Sequence, residues 1–232
     1  MTPGALTGSA VAPGRILSAD RAYVEIRRRI IENEMPAGSV VLEQDLAQEL
    51  GMSRTPVREA MIHLANEGLV EVRPRHGFRV LPISVKDMID IYEILTALES
   101  TAAASLARDG ATDQQLATLE GAVEAMDGAL AINNLDAWAA ADERFHKMLV
   151  AHAGNQRLLS VVEMFWDQTH RARMVTLRLR PKPTRSNDDH RAVINAIRAR
   201  DPVTAQQQHT QHRTMSGQML VELIEKYKLR SI

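Results

Sequence analysis

From Ser84 onward the chain is a succession of Ala- and Leu-rich segments separated by short breaks, and no other feature limits its fold as strongly. The segments fall at roughly 85–108, 113–131, 136–153, 156–180, 187–199 and 202–226. The breaks read DGATD, NNLD, AGN, RPKPT and RDP, so Gly, Asn or Pro interrupts each period. Long segments with such punctuation predict an all-α bundle of six or so helices. Asp201 followed by Pro202 predicts an N-cap with Pro at the first helical position. Aromatic residues make up only 3% of the chain while Ala, Leu and Met are common, which favours helix packing over a β-sandwich.

Residues before Ser84 follow another plan. Ser18 can cap a helix whose apolar positions Ala22, Ile26, Ile30 and Ile31 recur at helical spacing, and Pro36 and Gly38 end it. LEQDLAQELG predicts a short second helix with Leu42, Leu46 and Leu50 on one face and Gly51 closing it. In MSRTPVREAM, Ser53 is an N-cap able to accept from the Thr55 amide. Pro56 falls in the first turn, where its missing N–H deletes no helical bond. Val57, Met61 and Leu64 give the inward face, and Gly68 stops the helix. LVEVRP and GFRVLP then read as two short strands around RPRHG. Three helices and a hairpin make a winged helix-turn-helix. The expected plan is therefore a mainly α chain, with a flexible arm at 1–17, the winged unit at 18–80, a linker at 81–84 and the helical unit at 85–232.

Charge narrows the function. A formal net charge of −1 excludes a general polyanion binder, so any nucleic-acid role must rest on one patch. The chain has no Cys, which removes disulfides and thiolate metal sites and fits a reducing cytosol, so a cytoplasmic location is expected. No apolar run approaches the roughly 20 residues that span a bilayer. The start, MTPGALTGSAVAPG, lacks the basic and continuous apolar regions of a signal peptide.

One patch does stand out. The amino end of the third helix offers unpaired amides and a positive dipole end, both suited to phosphate. Arg54 and Arg58 are four apart and share a face, and Arg pairs bidentately with guanine in the major groove. Thr55 adds a hydroxyl. Arg73, Arg75 and Arg79, with no acid between residues 72 and 80, suit a phosphate or minor-groove contact by the wing. His76 can donate at its tip, and Gly77 permits close backbone approach. Two arginines at helical spacing are by themselves commonplace on a solvated face; the ordered combination of cap, arginines, Gly stop and basic hairpin points to DNA. AGSVVLEQDLAQELGMSRTPVREAMIHLANEGLVEVRPRHGFRV closely resembles the DNA-binding domain of GntR-type bacterial transcription regulators, above all in SRTPVREA and EGLVE. The resemblance places Arg54, Thr55 and Arg58 on major-groove positions, His76 and Gly77 at the wing tip, and Gln44 at a further contact position.

A second constellation lies in the helical part. ADERFHKML puts Asp142 and His146 one turn apart, where a carboxylate and an imidazole can chelate one ion. His190 and His212 lie on helices that could converge there, although a lone helical His is more often exposed or simply packed. Residues 85–226 also resemble the FCD domain of the FadR-like branch of the GntR family, an all-helical effector-binding bundle. That resemblance implies Asp142, His146, His190 and His212 as the metal ligands and leaves His63, His152, His170 and His209 outside the set. Three imidazoles and a carboxylate suit Zn²⁺, Ni²⁺ or Mn²⁺, and open positions on the ion could take a carboxylate or hydroxy acid. The first bundle helix reads EILTALE, with Leu95 where such proteins often carry Arg. Either another cation such as Arg171 or Arg173 substitutes there for an acidic effector, or the effector is less acidic than is usual in such proteins.

The resulting expectation is a homodimeric, ligand-responsive transcription regulator that reads a pseudo-palindromic DNA operator and takes a small carboxylate effector at a divalent metal ion. The alternatives are a sensor whose signal is the ion itself, or a metal-dependent enzyme. No paired acid/base or nucleophile motif accompanies the ligands, which argues against the enzyme.

Overall fold

The computed structural model describes residues 13–74 and 76–229, and the chain divides into two compact units, one ending at Pro82 and the other beginning at Ile83. The first unit runs α1 (Pro13–Ile31), β1 (Val40–Val41), α2 (Glu43–Glu49), α3 (Arg54–Asn66), β2 (Val70–Arg73) and β3 (Gly77–Val80). β3 is the central strand of an antiparallel sheet in the order β1-β3-β2. Its registers pair Val41 with Phe78 on one side and Val72 with Phe78 on the other. Ala22, Ile26 and Ile30 of α1 meet Val57, Met61 and Leu64 of α3 in the core, with Phe78 and Val80 closing it from the sheet. The inward faces of α1 and α3 are thus those that helical spacing predicts.

Several local details differ from expectation. α1 begins at Pro13, so Ser18 lies inside it rather than at its cap. Residues 1–12 of the expected arm, and Arg75, lie outside the described residues. β1 has no counterpart among the expected elements: two residues carry no periodicity, and only pairing with β3 defines them. Ser53 has extended N-cap backbone, but its hydroxyl makes no bond to the first turn of α3. That turn is exposed through Thr55, so water can serve its amides at little cost.

The second unit comprises α4 (Val85–Asp109), α5 (Asp113–Ala131), α6 (Leu135–His152), α7 (Gln156–Thr176), α8 (Thr184–Arg198) and α9 (Pro202–Lys226). Side-chain caps set their starts. Ser84 with Asp87 and Thr112 with Gln115 form capping boxes, and Asp201 accepts from the Thr204 amide at 3.0 Å with Pro202 following. α7 stops at Thr176, four residues short of the predicted 180. Arg180 precedes Pro181, which disfavours helical backbone there and opens a turn before α8. Trp138, Leu119, Met126, Phe145 and Leu149 fill the main core. The expected linker at 81–84 is largely engaged: the Leu81 amide donates to Leu69, Ile83 is buried, and Ser84 caps α4.

Candidate metal centre and nucleic-acid interface

Apolar packing delivers the polar cluster of the helical unit. Trp138, Phe145 and Leu149 face the core from α6, and the same helix turns Asp142 and His146 inward. The Phe145 ring lies 4.2 Å from that of His190 on α8, seating this imidazole against the core. α9 supplies His212. Asp142, His146, His190 and His212 are all buried, and one ligand atom from each lies within 4.8 Å of every other. His190 Nε2 is 3.3 Å from His146 Nε2 and 3.6 Å from Asp142 Oδ1, while His146 Nε2 is 3.9 Å from the same oxygen. Bonds of about 2.0–2.2 Å to one ion would leave donors separated by distances of this order. The set therefore fits a single divalent cation in both chemistry and spacing.

Sequence reasoning missed what holds the cluster. Glu99 of α4 is wholly buried, and its Oε2 lies 2.9 Å from His146 Nδ1 and 3.5 Å from His209 Nε2. Its other oxygen accepts from Arg213 Nη2 at 3.0 Å, and that guanidinium lies over the Tyr92 ring. Neither Glu99 Oε2 nor His146 Nδ1 makes a hydrogen bond of good geometry, but a carboxylate this close favours a proton on Nδ1, which would leave Nε2 free to ligate. His209 is accordingly buried beside the cluster, with Ser100 Oγ 3.4 Å from its Nδ1. Glu99, His146 and His209 form a second grouping with metal-ligand geometry, sharing His146 with the first. On the far side, Asp189 Oδ2 stands 3.4 Å from His212 Nδ1. A Glu inside a helix reads as solvated, so Glu99 offered no signal beyond its place in ALE.

The electrostatics favour ligation. Burial drives the pKa values of His146, His190 and His209 well below the ordinary value, so these imidazoles are neutral. Burial pushes the Asp142 carboxyl up, but the positive charge around it, that of Arg173 first, outweighs burial and holds the net value below normal.

The two arginines expected to serve an acidic effector are differently placed. Arg173 is buried, its Nη2 3.3 Å from Asp142 Oδ2, and it donates to the Ala139 carbonyl. It backs the carboxylate. Arg171 is also buried but sits two residues away on α7, so the pair do not share a face. Leu95 lies in an apolar cluster with Tyr92, Ala172 and Leu220 and leaves no polar gap behind.

In the winged unit, Arg54, Thr55, Arg58 and Gln44 are all exposed. Glu43 stands between the two arginines, with carboxylate oxygens 3.5 Å from Arg54 Nη2 and 3.8 Å from Arg58 Nε. It holds both guanidinium groups on one side. A polar cleft of about 540 Å³ opens beside the amino end of α3, lined by Ser53 and Thr55 and by Arg21, which sequence reasoning did not single out. His76 is exposed in the β2–β3 turn. Gly77 has φ +80, and a Cβ there would stand 2.2 Å from the Val41 carbonyl oxygen, so the β1–β3 pairing itself demands glycine. Wing charge is lower than the run between 72 and 80 implied, because Glu71 lies 2.7 Å from Arg73 Nε and 2.9 Å from Arg79 Nε.

Comparison with known proteins agrees with both units. Residues 18–80 match the bacterial regulatory proteins of the gntR family, and residues 90–214 match the FCD domain. An HTH-type transcriptional regulator in the TAR-I ttuE-ttuC' intergenic region of Agrobacterium vitis is 45% identical over 150 residues, 64% of this chain and 86% of that one. A probable D-xylose utilization operon transcriptional repressor from Paenarthrobacter nicotinovorans is 32% identical over 79% of this chain and 80% of its own length. The solved structure of E. coli McbR/YncC superposes with a TM-score of 0.75 at 20% identity, covering 94% of this chain and all of that one, a likeness of fold. Among the described residues no helix is long and apolar enough to cross a membrane. With a GntR winged helix-turn-helix ahead of an FCD bundle, this chain is a DNA-binding transcription regulator of the GntR family and not an enzyme.

Proposed function

We propose that the protein is a ligand-responsive cytoplasmic regulator, a homodimer whose effector, a small carboxylate or sugar acid, binds at a metal ion in the FCD unit. The observation that carries this reading is the convergence of Asp142, His146, His190 and His212 in a buried cluster, with the pKa values of His146 and His190 depressed by burial. Zn²⁺, Ni²⁺ or Mn²⁺ suits that donor set, and the ion would supply a Lewis-acidic seat for a ligand oxygen. A cleft of about 350 Å³ reaches His212, and its lining carries Lys182 and Arg185 together with Asp189 and Glu222, so it suits a small polar ligand.

In the same reading residues 18–80 contact DNA and residues 85–232 bind effector and partner, with 81–84 between them. Arg54, Thr55, Arg58 and Gln44 take the major groove, and Arg75, His76 and Gly77 the wing contact. A two-fold dimer calls for a pseudo-palindromic operator. The effector changes DNA binding by its differential affinity for two arrangements of the dimer.

The test is operator binding by purified protein, with an operator selected from random DNA, with and without a panel of carboxylic acids. Native protein and His212→Ala are compared, with metal content measured in both. Loss of the ion and of the acid response in His212→Ala, with operator affinity retained, is the expected result. An acid that still releases DNA from metal-free His212→Ala protein would refute the metal-seated effector. Release of DNA by chelation alone, with no acid acting, would make the ion itself the signal.

A further inference from the structure

Arg180 has a setting unlike the other cations near the cluster. It stands in the turn between α7 and α8, its side chain laid over Trp138 with the guanidinium carbon 5.3 Å from the ring centroid. Trp138 lies one turn before Asp142 on α6, and its Nε1 donates to Asn187 Oδ1 at 2.9 Å, one turn before His190 on α8. Arg180 therefore rests on the indole that ties together the two helices carrying Asp142 and His190. Arg173 is paired with Asp142, Arg213 with Glu99, and Arg178 with Asp136. Arg180 has no such carboxylate among the described residues: its Nε and Nη2 are shielded from solvent and find no acceptor. An aromatic face attracts the charge but satisfies no N–H in the guanidinium plane. Burial and the like charge of Arg173 both depress its pKa, while Asp142 opposes them, which sets Arg180 in the electrostatic surroundings of the cluster.

We propose that Arg180 is the anion receptor of the effector cavity and that the effector is a small dianion, one end seated at the four-residue cluster and a second carboxylate at Arg180. The inference rests on the reading of the FCD unit as an effector site and deepens it. Guanidinium is the side chain whose parallel N–H groups match a carboxylate. The charge balance points the same way. Asp142 is offset by Arg173 and Glu99 by Arg213, and Asp189 beside His212 would offset part of a divalent ion's charge, so the rest of that charge and Arg180 remain as excess. A dianion compensates two separated centres where a monoanion compensates one. The 350 Å³ cleft reaches His212 of the cluster and Pro181, the chain neighbour of Arg180, while Arg180 itself stands behind its lining. Its size holds the ligand to a few carbons. Leu95 is consistent with this assignment, because the anion's partner comes from the α7–α8 turn rather than from α4.

The experiment is calorimetric titration of the full-length, metal-loaded protein with acetate, lactate, succinate and malate. Native protein is compared with Arg180→Met, which keeps bulk without charge, and with Arg180→Lys. Succinate or malate is expected to bind native protein more tightly than acetate or lactate. Arg180→Met should lose about tenfold or more in diacid affinity while monoacid affinity stays within about twofold, and Arg180→Lys should recover part of the loss. Metal content should be unchanged, and the ligand-free melting temperature unchanged or raised, because an unpaired buried charge has been removed. That last readout separates a receptor from a structural arginine, whose loss would lower the melt. Diacid binding that ignores Arg180→Met overturns the receptor while leaving a metal-seated effector intact. Equal loss of monoacids and diacids overturns it as well. Binding of none of the four acids to native protein sinks the inference together with the carboxylate reading beneath it.

Discussion

Glu99→Gln is the substitution that asks most of the metal centre. Glu99 is not one of the four proposed ligands, yet its Oε2 stands 2.9 Å from His146 Nδ1 and its Oε1 accepts from Arg213. A carboxylate there favours the His146 tautomer with its proton on Nδ1, which presents a bare Nε2 to His190 and Asp142. Glutamine is nearly isosteric but has one acceptor oxygen. Arg213 is a guanidinium and can only donate, so it claims that oxygen, and the amide N–H₂ turns toward His146. Nδ1 must then accept, the proton moves to Nε2, and the ligating lone pair is lost unless the tautomer is forced back. Removing such an outer partner costs about 10- to 100-fold in metal affinity, or about 1.4–2.7 kcal/mol. Competition against a fluorescent chelator measures it directly, with thermal melts of the chelated proteins reporting the fold. Ser100→Ala, on the His209 side of the network, is the control and should leave metal affinity intact. A Glu99→Gln protein that is folded and binds the ion with native affinity would refute the tautomer argument.

Three further outcomes follow from the geometry. Arg58→Ala should weaken binding to a selected operator by roughly 1–3 kcal/mol for each base pairing it removes while leaving the melt unchanged, and fluorescence anisotropy showing native affinity would mean the α3 face is misassigned. Gly77→Ala forces a left-handed residue and a clash with the Val41 carbonyl, so urea unfolding should show a loss of roughly 2 kcal/mol or more, and an unaltered midpoint would contradict the β1–β3 packing. The chelated protein should lose stability as pH falls. Folded-state pKa values of His146, His190, His209 and Asp142 are all depressed, so their contribution is complete above about pH 6.5, the unfolded imidazole value, and is surrendered on acidification. Melts of chelated protein at pH 7.5 and pH 5 that coincide would rule this out.

Much of the architecture was legible because its signals are local. Gly, Asn and Pro breaks located the helices of the bundle to within a few residues, and Asp201–Pro202 marked a start that the Thr204 amide confirms. Asp142 and His146 were visible as an i, i+4 pair, whereas His190 and His212 join them only through packing, 44 and 66 residues beyond His146 in the chain. Their choice over His209 came from family resemblance; spacing alone does not make it. β1 exists through its partner strand. Glu99, Arg213 and Arg180 escaped notice for a common reason: charged side chains in or next to helices default to solvent, and only three-dimensional packing reveals that Glu99 and Arg213 are buried and that two nitrogens of Arg180 are shielded.

His146 meets a carboxylate through each of its nitrogens, and each carboxylate is backed by its own arginine, Arg173 for Asp142 and Arg213 for Glu99. Such a chain of opposite charges does not erode one member at a time. Losing Glu99 strands Arg213, and losing Asp142 strands Arg173, each largely out of solvent, so a second loss in the same branch relieves part of the harm done by the first. Descent should therefore treat the centre as a single inherited character. A lineage that abandons the ion would exchange acids, imidazoles and arginines together for apolar side chains, as Leu95 already sits among apolar neighbours on α4. The single-residue intermediates on that route would be the unstable ones.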